Sequence, residues 1–255
     1  MRRLMKSGSI VVLSLPLLIL LGAPRHAAAQ QGADSAGAMR VIAAYVKAVG
    51  GEAAIRGVTH QRGTVAIIME GATLETETLI EHGRRLLIRS RMNGEIISQT
   101  GWDGTMGWMY SPVTGALPVE GPAIQTMRAT SDLHRALHQH IRAPRLLGAS
   151  TFGGKPTVAV RMTESDMDVT KHFDPQTHLL VGTRTPAPDD PADSVVVAMS
   201  DYEWYGPVRL PALTTIQAKG QILVLKILQL SHTPLDSSAF EPPAEVRTLR
   251  PAPSP

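Results

Sequence analysis

Three histidines near the middle of the chain have the residue type and spacing that metal chemistry requires. His134 and His138 lie four residues apart, which on a helix places two imidazoles on one face, as in helical zinc sites. His140 would lie about 200° around the same helix and could not complete that site. Helical zinc hydrolases place a water-activating glutamate after the first histidine, where this chain has Arg135. The pattern favours a partly buried packing role for His134, with a weak metal site at His134 and His138 as the alternative.

Other patterns that could support catalysis are weak. No Gly-x-Ser-x-Gly elbow presents a serine nucleophile. The stretch Gly153-Gly154-Lys155-Pro156 is only superficially similar to a phosphate loop, because proline stands where a helix with free amide groups should begin. Paired acids such as Glu75 and Glu77 are typical of a solvated strand face. We therefore expect no enzymatic activity, no catalytic residue and no cofactor.

Apolar and aromatic side chains offer a different chemistry, the burial of a hydrophobic ligand. Two of the three tryptophans, Trp102 and Trp108, fall beside Met109 around an Asp103-Gly104 turn, and such a group could line an apolar pocket. Ordinary core and hairpin packing is the alternative. Met127, on the apolar stripe of a later helix, is a further ligand-binding candidate.

The densest basic cluster precedes these tryptophans. It consists of Arg84, Arg85, Arg89 and Arg91. Such a cluster could contact a lipid headgroup or a lipoprotein backbone, and Arg89 is our candidate for that contact. Solvated charges on a strand face are the alternative.

The charge balance excludes several classes of partner. The chain of 255 residues has a formal net charge of +3, from 25 basic and 22 acidic residues. Four of the basic residues lie within the first 29 positions, which leaves 21 basic and 22 acidic residues in the remainder. No basic patch for nucleic acid is visible in that remainder. Because the chain has no cysteine, disulfides, thiolate metal sites and a lipidated cysteine are also excluded.

The first residues have the pattern of a secretory signal peptide. A basic start precedes an apolar run of about twelve residues, which is shorter than the roughly twenty that a membrane-spanning helix needs. Ala27-Ala28-Ala29 supplies the small residues that a signal peptidase recognises. We predict a signal peptide at residues 1–29, cleavage before Gln30, export to the periplasm, and a mature chain without a transmembrane segment.

The remainder predicts one domain, residues 30–241, of the α+β class with mainly antiparallel strands. Asp34 and Ser35 are good N-cap residues for an amphipathic helix of about four turns that ends at Gly50-Gly51. After this helix, residues that alternate between apolar and polar types predict strands, and Asn93-Gly94 predicts a hairpin turn between two of them. A second amphipathic helix is predicted from residue 121 to about residue 141. Strands resume after it, an exposed loop is predicted over residues 185–193, and residues 242–255, with five prolines, predict a disordered tail.

The strand predicted at residues 221–230 avoids water on both faces. Only Lys226 and Gln229 interrupt its apolar residues between the two ends. In a curved sheet one face would meet a helix and the other a cavity. A central strand covered on both sides by ordinary packing is the alternative.

Three short motifs resemble the outer-membrane lipoprotein-sorting family, the LolA/LolB-like periplasmic carriers and their relatives. They are the helix end Tyr45-Val46-Lys47-Ala48-Val49-Gly50-Gly51, the stretch from Gly101-Trp102-Asp103-Gly104 to Trp108-Met109-Tyr110-Ser111-Pro112, and the closing Leu235-Asp236-Ser237-Ser238-Ala239-Phe240-Glu241-Pro242. The resemblance covers roughly residues 41–243. The family's early arginine-proline pair has no match here, nor has the lipidated cysteine of its receptor branch.

This resemblance implies an incomplete, half-open antiparallel β-barrel of about 10–11 strands, with an N-terminal helix and an inserted helix that plugs the concave face. It also implies a carrier or binder of a hydrophobic ligand, with lipid or an acylated lipoprotein as its partner. An envelope structural or protein-interaction module without a cavity, bound to an envelope protein partner, is the alternative. A metal-dependent hydrolase using His134 and His138 is a third hypothesis.

Overall fold

The computed structural model describes residues 25–134, 137, 142–164, 167–186 and 194–249, and side chains from residue 34 onward. Its helical elements are α1 (Arg25–Ala48), α2 (Glu52–Gly57), α3 (Pro122–Ser131), a 3₁₀ turn (Ser237–Phe240) and α4 (Ala244–Arg247). Its strands are β1 (His60–Met69), β2 (Ala72–Glu81), β3 (Arg85–Met92), β4 (Glu95–Trp102), β5 (Gly107–Ser111), β6 (Gly115–Val119), β7 (Arg142–Phe152), β8 (Lys155–Glu164), β9 (Met167–Phe173), β10 (Leu180–Pro186), β11 (Ser194–Tyr205), β12 (Val208–Ala218) and β13 (Gln221–Ser231).

All strands of the described chain belong to one antiparallel sheet. Its order is β6-β5-β4-β3-β2-β1-β13-β12-β11-β10-β9-β8-β7, so two meanders join where β13 returns to pair with β1. The sheet does not close, because β6 and β7 remain as its two edges. This confirms the half-open antiparallel barrel. It has thirteen strands in the described residues, where we expected about 10–11.

The β3–β4 hairpin forms at the asparagine-glycine pair predicted from the sequence. Asn93 and Gly94 both adopt positive φ, 53° and 85°, as the tight turn between twisted antiparallel strands requires. A β-bulge shifts the register of this hairpin after Ser90.

The sheet has two faces that carry different partners. Ile80, Leu86 and Trp102 pack against Met127 of α3, and the side chains around Val160 and Met162 pack against α1 on the same face. We call this face, which holds α1 and α3, the concave face. The alternate residues Leu79, Leu87 and Trp108 point the other way and pack against Val246 of α4. We call that side the convex face.

Helix α1 begins earlier than its predicted cap. It starts at Arg25, so Asp34 and Ser35 lie inside the helix and Gln30, the predicted first residue after cleavage, is also helical. The alanines and glutamines that precede Asp34 are good helix formers, which explains the longer helix. Ala38 and Ile42 are buried against β8 to β10. The proposed signal peptide falls mostly in residues 1–24, outside the described residues, and its cleavage remains a prediction.

The inserted helix is shorter than predicted. It ends at Ser131, about ten residues before the expected end, because the chain is tied there to the β2–β3 hairpin. Gly83 N–H donates to the Ser131 carbonyl at 3.0 Å, and Leu133 N–H donates to His82 Nδ1 at 3.1 Å. Residues 138–141 of the predicted helix lie outside the described residues, as do residues 187–193 of the predicted loop.

The beginning of the predicted disordered tail is part of the folded domain. Residues 244–247 form α4, and Val246 is only 1% exposed, in contact with the group around Leu79, Leu87 and Trp108. The prolines correctly mark irregular backbone at Pro242 and Pro243. Val246 nevertheless packs because the convex face presents apolar side chains that would otherwise meet water.

Among the described residues, no helix has both the length and the apolar composition needed to cross a membrane.

Candidate functional site

The concave face has a closed end and an open end. At the closed end, where β2 finishes at Glu81 and β3 starts at Arg85, α3 packs across the sheet and buries the inward side chains. Ile80, Leu86 and Trp102 are 4%, 2% and 5% exposed there. The open end is the opposite one, with the hairpin turns Glu70-Gly71 and Asn93-Gly94.

Apolar side chains continue along the concave face toward the open end without being fully covered. Strand pairing places Val65 beside Thr76 and Ile227, and Ile67 beside Leu74 and Leu225, all on the face that holds Ile80. The apolar members of this open half are Val65, Ile67, Leu74, Ile88, Ile216, Leu223, Leu225 and Ile227, and each is half-buried. We call this set the open apolar surface. A filled core would bury these side chains, so in the described part of the chain this surface is only partly covered.

The strand at residues 221–230 is less covered than its sequence predicts, because Ile222 and Leu228 are 57% and 52% exposed. It is β13, a central strand, and Leu223 and Leu225 face the concave side whereas Ile222 and Val224 face the convex side. Neither of the two concave residues is fully buried. Of the two interpretations, a strand with a cavity on one face agrees better with this partial exposure.

Three of the five predicted ligand residues lie on the concave face. Trp102 and Met127 pack together at the closed end, next to the open apolar surface. Met109 pairs with Thr100 on the same face and is 45% exposed. The structure thus brings Trp102 and Met127 into contact and puts Met109 on the wall beside them.

Trp108 and Arg89, the other two predicted ligand residues, lie on the convex face, away from the open apolar surface. Trp108 is 3% exposed in the group that includes Val246, and it packs over Gly101, where a Cβ would come within 2.3 Å of its ring. Arg89 donates to Glu77 Oε2 at 3.3 Å and to the Ala239 carbonyl at 3.2 Å. Its guanidinium therefore holds the C-terminal segment against the sheet.

Of the predicted helical pair of histidines, the structure describes only His134. His134 follows the end of α3, so the i, i+4 geometry on a helix is wrong for this residue. Its Nε2 lies 3.0 Å from the Val58 carbonyl and therefore carries the proton, and its ring stacks on His82 with 3.7 Å between centroids. His138 lies outside the described residues. Within the described ranges, no group of three metal-ligating side chains is present.

A small pocket lies at the closed end, away from the open apolar surface. It holds about 80 Å³ between the end of α1, α2 and the start of β12, with Arg209 and His232 in its mostly apolar lining. His232 Nδ1 donates to the His60 carbonyl at 3.1 Å, and burial lowers the pKa of the ring below its usual range. Pockets for small ligands hold about 300–1,000 Å³, so this pocket is too small for an acyl chain.

A second cavity, of about 310 Å³, lies between α1 and the strands that it covers. Val41, Leu146 and Phe173 supply its apolar wall, and Arg40, Asp174 and His178 supply polar groups. Its volume lies at the lower end of the range for small-molecule sites. It is a second place where a short apolar group fits.

Sequence reasoning missed the methionines near the open end. Met69 and Met92 end β1 and β3, Met167 begins β9, and strand alternation puts all three on the concave face. Met92 stands next to the predicted Asn93-Gly94 turn, and for all three the period-two spacing from inward residues was the signal that could have identified them. Methionine suits such a surface because its flexible thioether adapts to ligands of irregular shape.

Comparisons with solved structures identify this architecture. A LolA superfamily protein from Nitrosomonas europaea aligns with a TM-score of 0.55 at 12% identity, over 80% of this chain and 97% of the other. An outer membrane lipoprotein-sorting protein domain from Vibrio parahaemolyticus aligns with a TM-score of 0.56 at 12% identity, again over 80% and 97%. The chain shares the fold of these two structures. This confirms the family resemblance at the level of the fold.

A DUF1329 family protein from Desulfovibrio piger also aligns with this chain, with a TM-score of 0.59 at 13% identity over 83% of this chain and 99% of the other. No protein-family model and no curated protein matches the sequence. Because the identities are low, the ligand has to be argued from the residues of this chain.

Proposed function

We propose that this protein is an exported carrier or binder of a hydrophobic ligand in the cell envelope. It would hold lipid or the acyl chains of a lipoprotein by burial alone, with no catalytic residue. The observation that carries the proposal is the open apolar surface, whose side chains stay half-buried beside a fully buried closed end. The signal-peptide pattern at residues 1–29 supports the periplasm as the location.

Burial of an acyl chain supplies enough free energy for this role. Each buried methylene contributes about 0.8 kcal/mol, so a chain of about 14 methylenes contributes about 11 kcal/mol. Subtracting an association cost of about 4 kcal/mol, the low end of its range, leaves roughly 7 kcal/mol. This corresponds to a dissociation constant of about 10 μM. A ligand with two chains would bind more tightly.

The neighbouring fold supports the choice of ligand class. One of the similar structures is named as an outer membrane lipoprotein-sorting domain, which makes acylated lipoproteins a reasonable ligand class to test here. The absence of cysteine means that this chain cannot itself carry a lipid anchor on a cysteine.

Neighbouring residues of β13 provide a matched test. Leu223→Glu places a carboxylate on the open apolar surface, and Ile222→Glu places the same group on the convex face, where Ile222 is already 57% exposed. We expect Leu223→Glu to weaken binding of a fluorescent fatty-acid probe at least about tenfold, because a buried charge is costly against an acyl chain. Ile222→Glu should bind like the unmodified protein. Circular dichroism would verify that both variants fold.

Equal probe affinity in the two folded variants would contradict the proposal. An effect of Ile222→Glu alone on capture of a protein would favour the alternative, an envelope protein-interaction module. That alternative has one specific observation behind it, since Ile68 and Ile222 are 41% and 57% exposed on the convex face.

A further inference from the structure

Four methionines share one feature, a substantially exposed side chain on the concave face outside the buried closed end. Met69, Met92, Met109 and Met167 are 40%, 38%, 45% and 47% exposed. Met69 pairs with Ala72, Met109 with Thr100 and Met167 with Glu164, each on the face that contacts the helices. We call these four residues the rim methionines.

The rim methionines are spread around the sheet. They lie on β5, β3, β1 and β9, so both meanders contribute. The strands of the open apolar surface, which are β1, β2, β3, β12 and β13, all lie within the part of the sheet from β5 to β9 that the rim methionines span.

Two methionines of the buried core, Met162 and Met127, lack this exposure. Met162 is 1% exposed against α1, and Met127 is 7% exposed where α3 packs on the sheet. An oxidant in solution should therefore distinguish the rim from the core. The chain has no cysteine, so no thiol competes for the oxidant within the protein.

We propose that the rim methionines form an oxidation site that releases or excludes the hydrophobic ligand; this inference rests on the proposed function. Hypochlorous acid transfers its oxygen to the thioether sulfur, which is oxidised by two electrons to the sulfoxide. Chlorine is reduced to chloride in the same step, and the proton of the acid is released. The sulfoxide is polar, so the rim loses its affinity for an acyl chain, and a methionine sulfoxide reductase restores the thioether.

The test compares the full chain with a variant that has leucine at all four rim positions. Leucine keeps the volume and apolar character and cannot be oxidised by this route. Both proteins are treated with a small molar excess of hypochlorous acid, oxygen addition is mapped by peptide mass spectrometry, and affinity for a fluorescent fatty-acid probe is measured. Met39, which is 48% exposed on α1, stays oxidisable in both proteins, so the difference isolates the rim.

We expect oxygen at the four rim positions before Met127 and Met162, and a loss of affinity of about tenfold or more in the unmodified chain. The leucine variant should keep its affinity after treatment, and reductase should restore the unmodified chain. Unchanged affinity of the oxidised chain, or oxidation of the core methionines first, would overturn the inference. Failure of the untreated chain to bind any probe would instead overturn the proposed function. If the leucine variant does not fold, the inference is still tested by the unmodified chain alone, through the positions of its oxidised methionines and its probe affinity before and after treatment.

Discussion

Replacing Val246 with alanine tests whether the C-terminal segment is part of the folded domain. Val246 is 1% exposed and packs on Leu79, Leu87 and Trp108 across the convex face. The substitution removes two buried carbon groups, which contribute about 1.6 kcal/mol at about 0.8 kcal/mol each. The cavity left behind raises the expected loss of unfolding free energy to about 2–3 kcal/mol.

Chemical denaturation of the folded protein measures this loss directly. A change of this size should lower Tm by roughly 5–10 °C for a domain of this length. Val113→Ala is the matched control, because Val113 is 93% exposed and its truncation should change stability by less than about 0.5 kcal/mol. Equal stability of Val246→Ala and the unmodified protein would refute the packing of this segment. Probe affinity should be unchanged in both variants, since neither residue lies on the open apolar surface.

Three further predictions follow from the contacts. Arg89→Met removes the hydrogen bond to the Ala239 carbonyl, so the free energy of unfolding measured by denaturation should fall by about 1–3 kcal/mol. Probe affinity should not change, and a large change in probe affinity would show that Arg89 contacts the ligand. Burial lowers the pKa of His172 and His232, so the unfolded chain binds more protons than the folded one just below pH 6.5. The free energy of unfolding measured in urea should therefore fall as the pH drops through that region. A free energy of unfolding that does not change with pH there would contradict the burial of these two rings. Gly182→Ala should lower Tm, because a Cβ there would lie 2.1 Å from a neighbouring aromatic ring, and an unchanged Tm would contradict that approach.

Local signals in the sequence were sufficient for the class of fold. Asn93-Gly94 fixed one hairpin, alternation predicted many of the strands, and the two apolar faces of residues 221–230 indicated a central strand. These features depend on residues close in sequence. Strand pairing between β13 and β1, which joins the two meanders, depends on long-range contacts that no local pattern contains.

The candidate site was only partly predictable because the two tryptophans lie on opposite faces. Trp102 and Trp108 flank a turn, and which face each one takes depends on how that turn sets the register of β4 and β5. Both tryptophans were predicted to line a pocket, because they lie close together in a chain with few aromatic residues, but only Trp102 lies on the concave face. The role of Val246 was missed for a similar reason. A single valine among prolines gives no pattern, and its burial depends on the convex face that it covers.

Mass spectrometry of the mature protein, purified gently from the exported fraction, tests the central claim most directly. The protein would be measured in its native state and again after organic extraction. If the open apolar surface carries lipid or acyl chains, the native mass should show near-stoichiometric ligand that extraction removes and identifies. An empty protein that stays empty after incubation with lipid vesicles would contradict the carrier function.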